Sequence, residues 1–176
     1  TGPGNNLMDY SMKLFLNKPY DKDGFISSKG TPHLKLVSSY IKDDYFLRKY
    51  PKSLERSYLI NNKILKKILE LNINDCMATL TQITNETIHM GINLLPQKPK
   101  SIVVIGGGQN NKNLIYKLTS MLEKNLYTGN EVGIPGEFIE AELIAFLSAR
   151  KYYNNASTFP STTGVNKSTV IGQLIN

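Results

Sequence analysis

Apolar residues along most of this chain recur at the three- and four-residue spacing of an amphipathic helix, with one clear exception near residue 103. After an opening turn, Thr1-Gly2-Pro3-Gly4-Asn5, the residues Leu7, Met8, Met12, Leu14, Phe15 and Leu16 mark a first helix. A polar loop over 19–24 leads to Thr31-Pro32, which can open a short helix through Tyr40. Asp43-Asp44 reads as a cap before Tyr45-Phe46, and Pro51-Lys52-Ser53 with Glu55 and Arg56 as a polar loop. Asn61 or Asn62 can cap a helix carrying Ile64, Leu65, Ile68 and Leu69. Asp75 looks like the start of a longer helix with Met77, Leu80, Thr84, Ile88 and Ile92 along one face.

The exception is Ser101-Ile102-Val103-Val104-Ile105, a β-branched run too short for a helix, which predicts a buried strand. Gly106-Gly107-Gly108 follows at once, and then a helix with Leu114, Ile115, Leu118 and Leu122. Leu126-Tyr127-Thr128 fits a second short strand and 132–136 a turn. A last helix over about 136–152 would bury a stripe of Ile139, Leu143, Phe146 and Leu147. The tail from Phe159 through Gly164 reads as a polar loop, ending in an apolar segment over 170–175. The alternation is α/β with helices dominating, the 176 residues suggest one domain or one lobe of a two-lobe protein, and no internal repeat is visible.

Composition narrows the function classes. With 40% hydrophobic and 20% charged residues the chain is a globular former and not a disordered polyelectrolyte. Its longest apolar run is far too short to cross a bilayer, so no membrane role is expected and a cytoplasmic location fits best. The net charge of +7 comes almost wholly from lysines spread along the chain, with Arg only at positions 48, 56 and 150. Nucleic-acid binding would ask for clustered Arg and Lys interleaved with aromatics, so no nucleic-acid partner is expected. One cysteine (Cys76) and two histidines (His33, His89) support neither a disulfide nor a His/Cys metal site.

Three glycines between a strand and a helix let a ligand lie against bare backbone, where the helix N-terminus favours negative charge. In open α/β sheets ligands sit at the C-terminal ends of strands, which is where this turn falls. The spacing is neither G-x-G-x-x-G nor a Walker loop, so nucleotide binding and close helix–strand packing are both open readings. Glu140 and Glu142 lie near the start of the last helix, where its dipole stabilises carboxylates without any chemistry. Glu140 falls at the edge of the apolar stripe, from which a carboxylate could orient a hydroxyl or a water.

Several segments taken together resemble one family. They are Thr1-Gly2-Pro3-Gly4-Asn5 with Leu7-Met8-Asp9, Lys18-Pro19-Tyr20-Asp21-Lys22-Asp23-Gly24, Pro51-Lys52-Ser53, Gly106-Gly107-Gly108 with Asn111, Val132-Gly133-Ile134, Glu140-Ala141 and Pro160-Ser161-x-Thr163-Gly164. In this order they are similar to anhydro-N-acetylmuramic acid kinase, over essentially the whole chain. The resemblance implies the actin-like, ribonuclease H-like fold of the sugar kinase, Hsp70 and actin superfamily, in which two α/β lobes close on ATP. The chain looks like an incomplete C-terminal lobe over 1–176, with the N-terminal phosphate-loop lobe absent. The family uses ATP (with Mg2+) and water to open the 1,6-anhydro ring of anhydro-N-acetylmuramic acid and phosphorylate O6. The product is N-acetylmuramic acid 6-phosphate, in peptidoglycan recycling.

Carried over residue by residue, Thr1, Gly2, Pro3, Gly4 and Asn5 would line the anhydro-sugar pocket beside the reacting water. Lys52 and Arg56 would lie in a substrate-side loop, although the family's Thr-Gly-Arg-Glu after Pro-Lys-Ser is replaced by Leu54-Glu55-Arg56-Ser57. Gly106, Gly107, Gly108 and Asn111 would approach the nucleotide, with Gln109 and Asn110 where the family carries a Ser/Arg pair. Glu140 would face the sugar and help position the water. No protein ligand to a metal is expected.

The family's general base is an Asp immediately before this turn, and its Gly/Ser-rich phosphate loop lies in the other lobe. The expectation is a 176-residue chain that is inactive and aggregation-prone alone, with an unpaired edge on the strand near Val103, needing the N-terminal half and forming a homodimer in the family's manner. Two other classes compete: a hydrolase using Thr1 as an N-terminal nucleophile, and a non-catalytic α/β interaction module.

Overall fold

The computed structural model describes residues 2–122, 124–136 and 138–175. Helices α1 (Asn6–Leu16), α2 (Leu34–Ile41), α3 (Asp44–Leu47), α4 (Arg56–Ile60), α5 (Lys63–Ile68) and α6 (Ile73–Asn93) precede strand β1 (Ser101–Val104). Then come α7 (Lys112–Leu122), β2 (Asn125–Thr128), α8 (Ile139–Tyr152) and the single turn α9 (Pro160–Thr163). The class is α/β and helix-rich, as the periodicity implies.

The core forms around α6, whose residues 76–81 and 83–85 are all buried. Met77, Leu80 and Ile83 join Leu7, Met8 and Met12 of α1, Val37 and Tyr40 of α2, Phe46 of α3 and Leu65 and Ile68 of α5 in one cluster. Leu14, Phe15 and Leu16, which the pattern placed on the apolar face of α1, are exposed instead. That helix packs through its first two turns only. The caps follow side-chain chemistry: Asp43 accepts the Tyr45 amide at 3.0 Å and Asn62 the Ile64 amide at 2.8 Å.

Some boundaries differ from the pattern for identifiable reasons. The short helix expected from Thr31-Pro32 begins at Leu34, because the His33 backbone N–H is held by Thr79 Oγ1 at 2.9 Å. The long helix is capped by Asn72, whose Oδ1 accepts the Asp75 amide at 3.1 Å. Asp75, read as its start, directs Oδ1 to the Thr31 amide at 2.7 Å. Arg56, read as loop, opens α4.

β1 and β2 pair in parallel, Ser101 opposite Asn125 through Val104 opposite Thr128, with α7 as the crossover that parallel strands require. The expected buried strand is only half covered: α7 lies in the crossover, and Val103 remains 41% exposed. The other edge of β1 has no strand partner among the described residues. Likewise α8 has no buried residue, and the stripe expected to pack leaves Leu143 and Phe146 more than half exposed. Alternation in the sequence defines which face is apolar, not whether anything covers it.

Candidate functional site

Three turns that lie far apart in sequence meet at one cleft. The first is residues 2–5. Gly2 rests on α6, where a Cβ would collide with Thr87 Oγ1, and the Gly4 carbonyl accepts Thr84 Oγ1 at 3.0 Å. Gly4 adopts φ +55°, a left-handed conformation that suits glycine. The turn closes into α1 through Asn6 N–H to Pro3 O at 3.1 Å. Two buried threonines of α6 therefore hold the backbone of this turn.

The second is the 19–27 loop. The buried Asp21 carboxylate accepts the amides of Ile26 (2.8 Å) and Ser27 (2.9 Å), so its charge organises the loop. Ser27 Oγ donates to Gly24 O at 3.0 Å and accepts Asn113 Nδ2 at 2.9 Å, which ties the loop to α7. Gly24 sits at φ +73° directly against Asn111 and Asn113, leaving no room for a side chain. At the rim Lys112 pairs with Asp23 at 3.1 Å, an exposed ion pair of small energetic weight.

The third is the glycine turn after β1. Gly106 has φ +76° and its N–H donates to Gly136 O at 3.1 Å. Residues Gly107–Asn110 make one 3-10 turn, and Asn111 Oδ1 then caps α7 by accepting the Leu114 amide at 3.0 Å. No atom lies within 4 Å of where a Cβ on Gly106 or Gly107 would stand, so this stretch of backbone is open. A Cβ on Gly108 would come 3.6 Å from Asn5 Oδ1, so the first and third turns lie side by side.

Between them lies a cleft of about 700 Å³, lined in part by Asn5, Met8, Asp9, Tyr20, Gly107 and Asn110. Asn5 Oδ1 is buried here without a hydrogen-bond partner. A volume of this size, with polar groups converging on bare backbone at a helix start, fits a phosphate-bearing or polyhydroxyl small molecule.

The expected site residues divide. Asn5, Gly107 and Asn111 line the cleft, Gly2, Pro3, Gly4, Gly106 and Gly108 belong to the turns that carry them without lining it, and Thr1 lies outside the described residues. Lys52 stands elsewhere: its Nζ donates to the carbonyls of Tyr45 (2.9 Å) and Phe46 (3.1 Å), at the end of α3, and lies over the Tyr45 ring. Burial first, and the nearby Arg48 second, lower its pKa below the usual lysine range. Arg56 begins α4, and Glu140 is exposed in the first turn of α8 and does not line the cleft. Pro51 packs against Gly164, so the Pro-Lys-Ser and Pro-Ser-x-Thr-Gly segments are neighbours. A second, more open groove lies beside them between Asp43, Ser53 and Tyr58, with the Tyr58 hydroxyl donating to Asp43 at 2.8 Å.

Residue reading assigned no part in the cleft to Tyr20, Asp21, Asp23 or Lys112. The signal available was Asp21-x-x-Gly24-x-x-Ser27, a carboxylate followed by a glycine and a hydroxyl at turn spacing. Among the described residues no group of three His, Cys, Asp or Glu side chains could hold a metal ion, and none of their helices is long and apolar enough to cross a membrane.

A strand–glycine turn–helix unit walled by two further turns defines a helix-rich α/β chain with one open cleft at the end of its strand. Comparison with known proteins makes this specific. The family model for anhydro-N-acetylmuramic acid kinase matches residues 1–176, and the chain belongs to that family. It is 35% identical to the anhydro-N-acetylmuramic acid kinase of Hydrogenovibrio crunogenus over 175 residues, covering 98% of this chain and 48% of the relative. It is 34% identical to the enzyme of the same name from Zymomonas mobilis (94% and 44% covered) and 32% to that of Phenylobacterium zucineum (99% and 46%). The chain spans about half the length of the curated relatives it matches.

Proposed function

We propose that this chain is the C-terminal lobe of an actin-like kinase that converts anhydro-N-acetylmuramic acid and ATP to N-acetylmuramic acid 6-phosphate and ADP. What supports the reading is that the 2–5 turn and the glycine turn lie side by side at one cleft, the reading assigning the sugar to the first and the phosphates to the second. In the reaction, water adds at C1 and the C1–O6 bond breaks. The freed O6 then takes the γ-phosphoryl group, and the proton lost by water goes to a base.

The roles of this chain's residues are binding and orientation. Gly2 through Asn5, with Thr1 ahead of them, hold the sugar, and Asn5 Oδ1 is an acceptor already desolvated for one of its hydroxyls. Gly106 through Gly108 let the nucleotide approach without a side chain between, and Asn111 holds the start of α7 towards it. Mg2+ neutralises phosphate charge when bound with the nucleotide. Asp21 is engaged with two loop amides and Asp23 with Lys112, so the ion would be held chiefly by phosphate oxygens and water. Glu140 orients the water, and Lys52 and Arg56 serve the substrate-side loop, only when α8 and the 51–57 segment close on the cleft. The base and the phosphate loop belong to the family's other half, so the 176 residues alone are inactive. The whole enzyme is a cytoplasmic homodimer in peptidoglycan recycling.

The test is 31P detection of sugar 6-phosphate with ATP and anhydro-N-acetylmuramic acid, on the gene product carrying these residues and on the 176 residues alone. Transfer by the first and not the second is expected. Transfer by the 176 residues alone overturns the division of labour. A gene product that binds neither ligand overturns the reading and favours an interaction module. The N-terminal-threonine alternative is disfavoured by the fold, since such hydrolases need a strand-rich sandwich.

A further inference from the structure

Gln109 follows the glycine turn and is only 6% exposed, yet it is not part of the hydrophobic cluster. Its carboxamide lies in the seam between two segments that leave the C-terminal ends of β1 and β2. On one side Oε1 accepts the Asn130 amide at 3.4 Å. That bond fixes the amide's orientation, because a donor cannot face the Asn130 N–H. Nε2 is thereby turned towards Gly136 and has no acceptor. The fit is tight: a Cβ on Gly136 would stand 2.9 Å from Gln109 Cδ and 3.0 Å from Oε1, and one on Gly129 would stand 3.1 Å from Oε1. The backbone is stitched across the same seam, Gly106 N–H to Gly136 O at 3.1 Å and Gly129 N–H to Val104 O at 2.8 Å.

We infer that Gln109 is a positioning residue for the nucleotide: its carboxamide fastens the Gly106–Gly108 backbone to the 129–136 segment, and this fastening sets the turn that receives the ligand. The inference rests on the nucleotide reading of this cleft. It makes Gly129 and Gly136 part of the same device, since they are glycines where the carboxamide needs their space. No left-handed conformation requires them, because neither adopts a positive φ.

The experiment is a double-mutant cycle in the full gene product carrying these residues, with ADP and anhydro-N-acetylmuramic acid titrated separately by calorimetry. Gln109→Ala removes the carboxamide. Gly136→Ala keeps it and pushes it out of the seam. Each single variant should weaken ADP by about tenfold, the weight of one lost hydrogen bond in a binding site. The sugar affinity should stay within about twofold, and in the Gln109→Ala background Gly136→Ala should add little, since the space is already vacated. Single variants that bind ADP like the wild type overturn the inference. So do effects that multiply to about a hundredfold in the double variant, or equal losses for ADP and sugar with a lowered melting temperature. If the wild type itself binds no ADP, both this inference and the nucleotide reading fall; if it does and the variants match it, only the inference falls.

Discussion

The two halves of the molecule are built to different standards. Residues 2–93 wrap α6 so closely that they supply fourteen of the fifteen side chains in one buried cluster, most of them from α1, α2, α3, α5 and α6. Residues 101–175 contain the glycine turn and both strands, yet among the described residues of this stretch only Leu114, Leu118 and Leu122 of α7 are buried large apolar residues. The first half holds nearly all of the core, completed by Leu114 of α7, and carries the 2–5 turn on its threonines. The second is a set of correct local structures whose apolar faces have little to rest on, anchored chiefly by α7. The backbone we assign to the ligand thus sits at the boundary between a closely packed unit and a loosely supported one, a placement that would suit elements required to shift on binding.

The sharpest test of the difference uses the single cysteine. Cys76 is fully buried in α6, and burial pushes its pKa up to about 11, so the reactive thiolate is scarce as well as hidden. A thiol reagent such as DTNB should label native Cys76 about a thousandfold or more slowly than the unfolded chain, by the opening equilibrium of a stable core. A cysteine placed at Leu143 in a Cys76→Ser background should label at close to the unfolded rate. Rapid labelling of Cys76 would show that the helical half is not the rigid partner.

Next in size come truncations. Leu80→Ala in the core cluster should cost about 2–5 kcal/mol in urea unfolding. Phe146→Ala on α8 should stay within about 0.5 kcal/mol. A Phe146→Ala loss comparable to that of Leu80→Ala would mean that α8 is covered in solution and that the two halves are equally supported.

The contrast also explains what could be read from the chain alone. Helices with caps were legible because period and cap chemistry are local: Asp43 and Asn62 behave as their positions imply. The start of α6 was not, because Asp75 is claimed by Thr31, 44 residues away in sequence. Nor could the β-branched run at 101–105 or the stripe on α8 reveal that little covers them, since a pattern describes one face and burial needs two. At the site, three glycines after a strand announced the open backbone. The wall formed by Asp21, Gly24 and Ser27 depends on its fit to Asn111 and Asn113, which is tertiary information.

The smallest predicted effect separates the halves by acid. Asp75 has its carboxyl held below the usual range, first by the Thr31 amide and then by Asn72. Glu131 is lowered in the same way by the amide and hydroxyl of Thr128. A carboxyl depressed in the folded state contributes stability above its ordinary pKa of about 4 and loses it as pH falls through the folded value. Asp75 bridges segments far apart in sequence, whereas Glu131 closes a turn three residues long. Asp75→Asn should therefore lower the melting temperature slightly at neutral pH and flatten its decline below pH ~4, where the wild type loses the same contribution. Glu131→Gln should leave that curve unchanged and alter only the local amide signal of Thr128. If both substitutions flatten the acid limb equally, the turn at 128–131 unfolds together with the α6 core, and the halves form one cooperative unit despite their unequal packing.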